Sequence, residues 1–289
     1  MSKKCILLVG LPEAGKSSFI AALYHILQDR TSLDALKLQR LFGLNAGHLQ
    51  KLERKWLSGE HLERTRIPDE IKAALSLLNP LTSEEIELHI PDMSGETYSQ
   101  QWEKRICTKE YLEMLEEVSG ILLFVHPEHI VEPASIFAAN KLASTLGFKD
   151  IESDDGNEIA KNLNLPLWNP ENACTQVKLV EILQFITSKF ENTFNVAVVI
   201  SAWDLVVAPS VTPLNYIGKR LPLLYQYLST NPDHFYYKVY GISALGGSID
   251  TKKTELLSIL PAQRIIVADE DSSSNDITLP LQWLIKDKK

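Results

Sequence analysis

The 289-residue chain has little cysteine, no excess of positive charge and no long apolar run. Its three cysteines, Cys5, Cys107 and Cys174, are odd in number and far apart, which excludes a disulfide framework and favours a reducing compartment. Lys and Arg number 29 against 37 Asp and Glu, so the net charge is −8 and no direct nucleic-acid partner is predicted. Since no apolar stretch reaches the length of a membrane span and no secretory signal is visible, we expect a cytoplasmic protein without a transmembrane segment.

The composition is that of a globular protein, with 45% hydrophobic and 23% charged residues. No repeat recurs at a fixed period. The length allows one large α/β domain or two ordinary ones. We expect a single domain over residues 1–289, with insertions at about 30–64 and 127–175.

The apolar pattern of the first third predicts a strand, a helix and then a hairpin. Residues 5–9 form a continuous apolar run, which is typical of a strand buried on both faces, and apolar residues recur at helical spacing after Lys16. Residues 33–64 are helical in pattern and rich in charge, which predicts inserted surface helices. Apolar residues recur at every second position in residues 71–77 and 86–90. This period of two predicts a hairpin whose antiparallel strand lies at the edge of the sheet.

Three further buried strands and two clear helices follow. The strands are predicted at 121–125, 196–200 and 236–242, and the helices at 176–190 and 216–228. Strands that alternate with helices predict a three-layer α/β fold with a mostly parallel sheet and right-handed crossovers.

The segment from Gly10 to Ser17 matches the pattern G-x-x-x-x-G-K-S/T and lies between the first strand and the first helix. The glycines let backbone N–H groups turn towards a polyphosphate, Lys16 reaches its β and γ phosphates, and the Ser17 hydroxyl is offered to Mg²⁺. The predicted phosphate-binding residues are Gly10, Glu13, Ala14, Gly15, Lys16, Ser17 and Ser18.

A second motif, Asp92-x-x-Gly95, follows the strand of the hairpin. An acidic residue at the end of a strand beside the first would hold Mg²⁺ through water, so Asp92 is a candidate metal ligand. The N–H of Gly95 is a candidate for contact with the γ-phosphate.

Two further strand ends carry residues that could recognise the base of a nucleotide whose phosphates lie in the loop at residues 10–17. A carboxylate at Asp204 can accept hydrogen bonds from the N1–H and 2-amino groups of guanine, a donor pair that adenine lacks. Trp203 is a candidate for stacking on the base. The turn of Ser243 and Ala244 can offer a backbone N–H to the guanine carbonyl oxygen.

These four motifs, in this order on successive strand ends, resemble the G1, G3, G4 and G5 motifs of the translation-factor and Ras-like class of P-loop GTPases. Within that class the chain is most similar to the double-GTPases of bacterial conflict and defence gene clusters. The resemblance implies a P-loop fold, GTP or GDP as the bound nucleotide, Mg²⁺, and a protein effector or second GTPase-like subunit as partner. A departure is that Ser201 and Ala202 stand where the G4 motif has Asn and Lys.

The resemblance also implies roles for residues outside these motifs. Thr65 is the candidate that closes on Mg²⁺ and the γ-phosphate. Glu96 stands where Ras-like enzymes have the Gln that orients the attacking water, and repulsion between its carboxylate and the triphosphate implies slow or partner-stimulated hydrolysis. Arg105 is either an internal arginine finger or a surface residue.

Two other functions remain open at the level of sequence. The degenerate G4 loop is compatible with a P-loop ATPase or small-molecule kinase, although no Arg-rich lid is visible. The fold could also be an interaction scaffold that binds nucleotide for stability and does not turn it over.

Overall fold

The computed structural model describes residues 3–28, 36–42, 46–62, 73–90, 96–133, 145, 169–188, 193–206 and 211–286. The strands are β1 (Lys4–Gly10), β2 (Lys37–Phe42), β3 (Ala73–Leu78), β4 (Glu85–Ile90), β5 (Val118–Val125), β6 (Phe194–Ser201), β7 (Phe235–Ser243), β8 (Ile266–Ala268) and β9 (Ser273–Ser274). The helices are α1 (Lys16–Gln28), α2 (Ala46–Leu57), α3 (Glu96–Lys104), α4 (Lys109–Leu115), α5 (Thr175–Thr187), α6 (Pro213–Arg220), α7 (Pro222–Thr230), α8 (Ile249–Ser258), α9 (Pro261–Arg264) and α10 (Leu279–Leu284). None of the helices in these ranges combines the length and apolar character that a membrane crossing requires.

The strands form one sheet in the order β2-β3-β4-β1-β5-β6-β7-β8-β9. Strands β4, β1, β5, β6 and β7 pair in parallel, while β3 and β8 run against both of their neighbours. The prediction of an α/β fold with a mostly parallel sheet is therefore confirmed. The carboxyl ends of the parallel strands meet at one edge of the sheet, where polar loops gather.

Helices cover both faces of the sheet, which explains why the central strands are continuous apolar runs. In β1 the side chains alternate: Ile6 and Leu8 enter one core, and Leu7 and Val9 enter the other. The first core lies under α1, α2 and α10. The second lies under α3, α4, α5, α6 and α7.

The predicted surface helices over residues 33–64 are wrong in part. The structure has a strand, β2, followed by one helix, α2, and three residues of that helix are buried, Leu49, Leu52 and Trp56. Strand β2 pairs with β3, so the predicted antiparallel strand of the hairpin is not at the edge of the sheet. A short apolar segment is compatible with the periodicity of a helix or of a strand. Here the segment forms a strand because it can pair with the backbone of β3.

The predicted helix over residues 216–228 is two helices. Helix α6 ends at Arg220 and α7 begins at Pro222, with Leu221 in a non-helical conformation between them. Proline has no N–H to donate and disfavours the helical conformation of the residue before it, so the chain turns at Leu221 although the apolar pattern continues. The other predicted strands and the helix beginning near residue 176 are confirmed.

Candidate functional site

The predicted phosphate loop connects β1 to α1, as the strand–loop–helix context requires. Lys16 begins α1 and is almost fully buried at 2% exposure. Its ammonium group donates hydrogen bonds to the carbonyl oxygens of Gly10 at 2.7 Å and Leu11 at 2.9 Å. The loop therefore folds around the lysine and holds a buried positive charge at the amino end of a helix, where anions are favoured.

Gly15 is the position of this loop that only glycine can occupy. Its φ of +89° lies in the left-handed region, and a β carbon there would lie 2.5 Å from Cβ of Ser201. Ser201 ends β6 and donates a hydrogen bond of 3.3 Å to the carbonyl of Val125. The Ser201 side chain thus lies directly against the Gly15 backbone, and position 15 carries no side chain that would block the approach of a phosphate to the backbone N–H groups of the loop.

Four other predicted phosphate-loop residues, Glu13, Ala14, Ser17 and Ser18, flank Gly15 and Lys16 in the chain. Glu13 adopts a positive φ of 60°, and its carboxylate lies 3.6 Å from Nδ1 of His129. Ala14 is buried, and its N–H donates to the carbonyl of Leu11 at 3.3 Å. Ser17 and Ser18 lie in the first turn of α1, and Ser18 lines the cavity described next.

A cavity of about 240 Å³ extends from the phosphate loop to the loops that follow β6 and β7. Gly15 and Ser18 line its phosphate side, and Asp204, Ser243 and Ala244 line its other side. The predicted phosphate-binding and base-binding segments are thus brought together at the carboxyl edge of the sheet, where α/β folds bind ligands.

A hydrogen-bond network orients the carboxylate of Asp204. The buried Ser243 hydroxyl donates to Oδ1 of Asp204 and accepts the N–H of Gly246 at 2.9 Å. Gly246 has a φ of +83°, and a β carbon there would lie 2.0 Å from the carbonyl oxygen of Arg264. Ser243 therefore joins the two loops that line the base side of the cavity, and it does so with its side chain.

Trp203 does not line the cavity. Its indole packs on Gly241, where a β carbon would lie 2.2 Å from Cδ2, and meets the Tyr216 ring edge-on at 5.9 Å between centroids. The tryptophan is partly buried and packs against the core under α6, and it does not form a wall of the cavity. Ala202, whose φ is +46°, Asp204 and Leu205 are the residues of this loop that line the cavity.

Three predicted residues, Thr65, Asp92 and Gly95, lie outside the described residues. Of the three predicted magnesium ligands, Ser17 is therefore the one that the structure describes, and its place in the first turn of α1 fits the role. Glu96 is the first residue of α3. Arg105 pairs with Glu181 of α5 and lies over the ring of Trp102, with its guanidinium carbon 4.7 Å from the centroid. It thus has the contacts of a surface arginine, the second of its two predicted roles.

His126 is a cavity residue that the sequence analysis missed. It follows β5 at the same edge of the sheet, and its Nδ1 accepts the N–H of Glu128 at 3.2 Å, so that the neutral ring carries its proton on Nε2. Burial lowers the pKa of His126, and the neighbouring His129 lowers it further. The sequence did contain a signal for His126, because it directly follows a buried strand. The same criterion, a polar residue at the end of a buried strand, led to the prediction of Asp204.

No curated protein sequence matches this chain significantly, but its structure is similar to several solved structures. The Arl6 BBS3 small GTPase from Trypanosoma brucei, solved with the nucleotide analogue GppNp, is 10% identical, with 89% of this chain and 94% of that chain covered and a TM-score of 0.37. Nucleolar GTP-binding protein 1 from Plasmodium falciparum is 15% identical, with 89% and 87% covered and a TM-score of 0.34. A variant of Aquifex aeolicus Era, solved with GDP and aluminium fluoride, is 16% identical, with 90% of this chain and 58% of that chain covered and a TM-score of 0.29.

The family comparison is decisive because it covers nearly the whole chain. The profile of the family described as Double-GTPase 1 matches residues 7–284, from β1 to the end of α10. The resemblance predicted from the four motifs is thus confirmed at the level of the family. The chain belongs to the Double-GTPase 1 family of P-loop GTPases.

Proposed function

We propose that this protein is a guanine-nucleotide switch that hydrolyses GTP slowly by itself in the presence of Mg²⁺. The observation that carries the proposal is the cavity in which the phosphate loop at Gly15 and the carboxylate of Asp204 face the same space. One side of this cavity suits the phosphates, and the other suits the base of the same nucleotide.

The described residues divide the work between binding and charge neutralisation. Lys16 and the amino end of α1 stabilise the phosphate charge that develops when water attacks the γ-phosphorus in line. Asp204, oriented by Ser243, selects guanine because its carboxylate accepts from a donor pair that adenine does not have. Mg²⁺, held by Ser17 together with Thr65 and Asp92, would neutralise charge on the β and γ phosphates.

The absence of the usual Gln limits the rate of this step. Glu96, the first residue of α3, stands in the sequence where Ras-like enzymes have the Gln that orients the attacking water, and it would add a negative charge there. The resulting repulsion supports slow intrinsic hydrolysis and acceleration by a partner that supplies positive charge. Turnover of GTP by the isolated chain at tens per second would contradict this part of the proposal.

The nucleotide state becomes readable if the segments near Thr65 and residues 95–98 order with triphosphate and loosen with diphosphate. Helix α3 is linked to β1, the strand that leads into the phosphate loop, because the Tyr98 hydroxyl donates a buried hydrogen bond of 3.0 Å to the carbonyl of Leu8. A protein effector or a second GTPase-like subunit is the partner that fits such a switch.

A binding titration with Mg²⁺ and GTP, GDP, ATP or ADP tests the nucleotide assignment. We expect Lys16→Ala to abolish binding, and Asp204→Asn to weaken GTP by about 10- to 100-fold while ATP changes little. Asp233→Asn is the matched control, because it removes an exposed carboxylate that lies before the start of β7, whereas the cavity lies at the end of that strand. Equal binding of ATP and GTP by the wild type would contradict guanine selectivity and favour a P-loop ATPase or kinase.

The scaffold alternative is tested by thermal unfolding with GTP and with a non-hydrolysable analogue. A switch hydrolyses GTP, so its stabilisation by GTP decays with time whereas stabilisation by the analogue persists. Equal and lasting stabilisation by both, without release of phosphate, would contradict turnover.

The biological setting is proposed on family membership. The resemblance to double-GTPases of defence clusters supports a role in protection against phage or plasmids. Deleting the gene from its native cluster should increase sensitivity to them, and unchanged sensitivity would contradict the role.

A further inference from the structure

Four side chains with metal-binding groups converge at the opposite end of the sheet from the nucleotide cavity. They are Cys5 in β1, Glu87 and His89 in β4, and Glu117 in the turn before β5. The Cys5 sulfur, a ring nitrogen of His89 and one carboxylate oxygen from each glutamate all lie within 4.8 Å of one another. The cluster shares no residue with the phosphate loop.

The pairing of three central strands brings these groups together. Cys5 pairs with Glu87 and Leu7 pairs with His89 in the parallel register of β1 and β4, so the two residues of β4 share the face of Cys5. Glu117 immediately precedes Val118, which pairs with Cys5 from the other side.

A local irregularity in the sheet holds the backbone at this point. The register passes from Cys5 opposite Val118 to Ile6 opposite Gly120, so that Ser119 is an extra residue in β5. Its hydroxyl accepts the N–H of Cys5 at 3.1 Å and donates to the Cys5 carbonyl at 3.0 Å. Such bulges redirect side chains and are frequent next to functional sites.

The charges at the cluster favour a cation. Glu87 is 8% exposed, pairs with Lys3 and lies 3.0 Å from Nε2 of His89. Two carboxylates against one lysine leave the cluster negative when the histidine is neutral. Because the Lys3 side chain is half exposed, it can turn to solvent when a stronger cation arrives.

We propose that Cys5, Glu87, His89 and Glu117 form a structural Zn²⁺ site. Zinc takes four ligands in a tetrahedron and accepts sulfur, nitrogen and oxygen together, whereas Mg²⁺ and Ca²⁺ prefer oxygen alone. Ligand atoms around zinc lie about 3.5 Å apart, so side chains now within 4.8 Å need to close by about 1 Å. The ion would crosslink β1, β4 and β5 at the end of the sheet opposite the nucleotide site.

The chemistry of the thiol gives the site a spectroscopic signature. The Cys5 thiol is buried, and a metal ion that binds to the sulfur displaces its proton. Binding therefore forms a metal–thiolate bond and releases one proton per chain. Co²⁺ is the probe, because a cobalt–thiolate bond has a charge-transfer absorption that oxygen and nitrogen ligands do not produce.

The test is a Co²⁺ titration of the full chain without nucleotide, after treatment with a chelator. We expect the charge-transfer band to saturate at one equivalent and to disappear when Zn²⁺ is added. Cys5→Ser should remove the band, while the controls Cys107→Ser and Cys174→Ser should keep it. Absence of the band in the wild type, or its persistence in Cys5→Ser, would overturn the proposal.

A second pair of variants separates a metal site from an ordinary ion-pair cluster. His89→Gln should weaken Zn²⁺ binding by more than about 100-fold, because it removes a ligand and not merely a group that hydrogen-bonds to one, whose loss costs about 10- to 100-fold. Lys3→Met should strengthen it several-fold, because the lysine competes for Glu87 and repels the cation. Weaker Zn²⁺ binding in Lys3→Met would contradict the site. None of these outcomes depends on the nucleotide that the protein binds.

Discussion

The indole N–H of Trp56 donates a hydrogen bond of 2.9 Å to the carbonyl oxygen of Ala244. Trp56 is fully buried in helix α2, and Ala244 lines the cavity after β7. The Arg264 guanidinium lies over the indole at 4.4 Å and donates to the Trp56 carbonyl at 3.1 Å. Helix α2, which lies in the segment predicted to be an insertion, is thus joined to the loop that we propose to contact the base.

Replacing Trp56 should therefore destabilise the fold in two separable ways. Trp56→Phe leaves most of the ring but removes the donor for Ala244, and we expect a loss of about 1–3 kcal/mol in unfolding free energy. Trp56→Ala also opens a cavity and should cost about 3–5 kcal/mol. Urea unfolding measures both, with the 69% exposed Leu81→Ala as control. A loss in Trp56→Phe no larger than in the control would contradict the role of the hydrogen bond.

Gly15→Ala should abolish GTP binding because of its contact with Ser201. The new β carbon would meet Cβ of Ser201 at 2.5 Å, and the positive φ would strain any L side chain. In the double variant Gly15→Ala with Ser201→Gly the clash is gone and the φ strain of about 1 kcal/mol remains, so we expect partial recovery of stability. Unfolding free energies of the four proteins give the coupling. Additive effects would show that the two residues do not meet.

Ser243→Ala should disturb both loops on the base side of the cavity. The variant removes the donor to Asp204 and the acceptor for the Gly246 N–H. We expect a loss of about 1–3 kcal/mol in unfolding free energy and a smaller preference for GTP over ATP. Urea unfolding and nucleotide titrations measure these effects, with the exposed Ser258→Ala as control. An unchanged preference would mean that Ser243 does not orient Asp204 for the base.

Asp269→Asn should reveal a pH-dependent contribution to stability. Burial by itself raises the pKa of Asp269, but hydrogen bonds from Lys238, Asp271 and Ser272 outweigh it and lower the pKa to about 2. The stabilisation is thus present above the unfolded pKa of about 3.9 and is lost as the pH falls towards 2.

We therefore expect wild type to be more stable than Asp269→Asn at pH 7, with the difference shrinking between about pH 4 and pH 2. Urea unfolding across this range measures it, and Glu270→Gln, next in the chain and exposed, is the control. A difference that stays constant down to pH 2 would contradict the depressed pKa.

Glu96→Gln should increase GTP hydrolysis by the isolated protein several-fold. The substitution removes the like charge from the first residue of α3 and restores an amide that can orient water. Single-turnover phosphate release measures the rate, and GTP affinity of the same variant shows whether binding has changed. Slower hydrolysis at unchanged affinity would instead assign Glu96 a positive role.

Local patterns in the sequence determined most of the central fold and the phosphate loop. The loop from Gly10 to Ser17 was recognisable because its glycines, lysine and serine stand at short, fixed spacings, and Lys16 donates to carbonyls only five and six residues away. The buried strands and Asp204 were found because apolar runs and a polar strand end are also local signals. The alternation of strands with helices then sufficed to predict a mostly parallel sheet.

Only the tertiary structure decided the features that depend on residues far apart in the chain. Segment 37–42 is a strand because β3 offers a backbone to pair with, and Trp203 packs on Gly241 and not in the cavity because that glycine leaves room for it. The Cys5 cluster needs the register of three strands. These contacts join residues that are far apart in the chain, so local sequence patterns do not predict them and only the folded structure shows them.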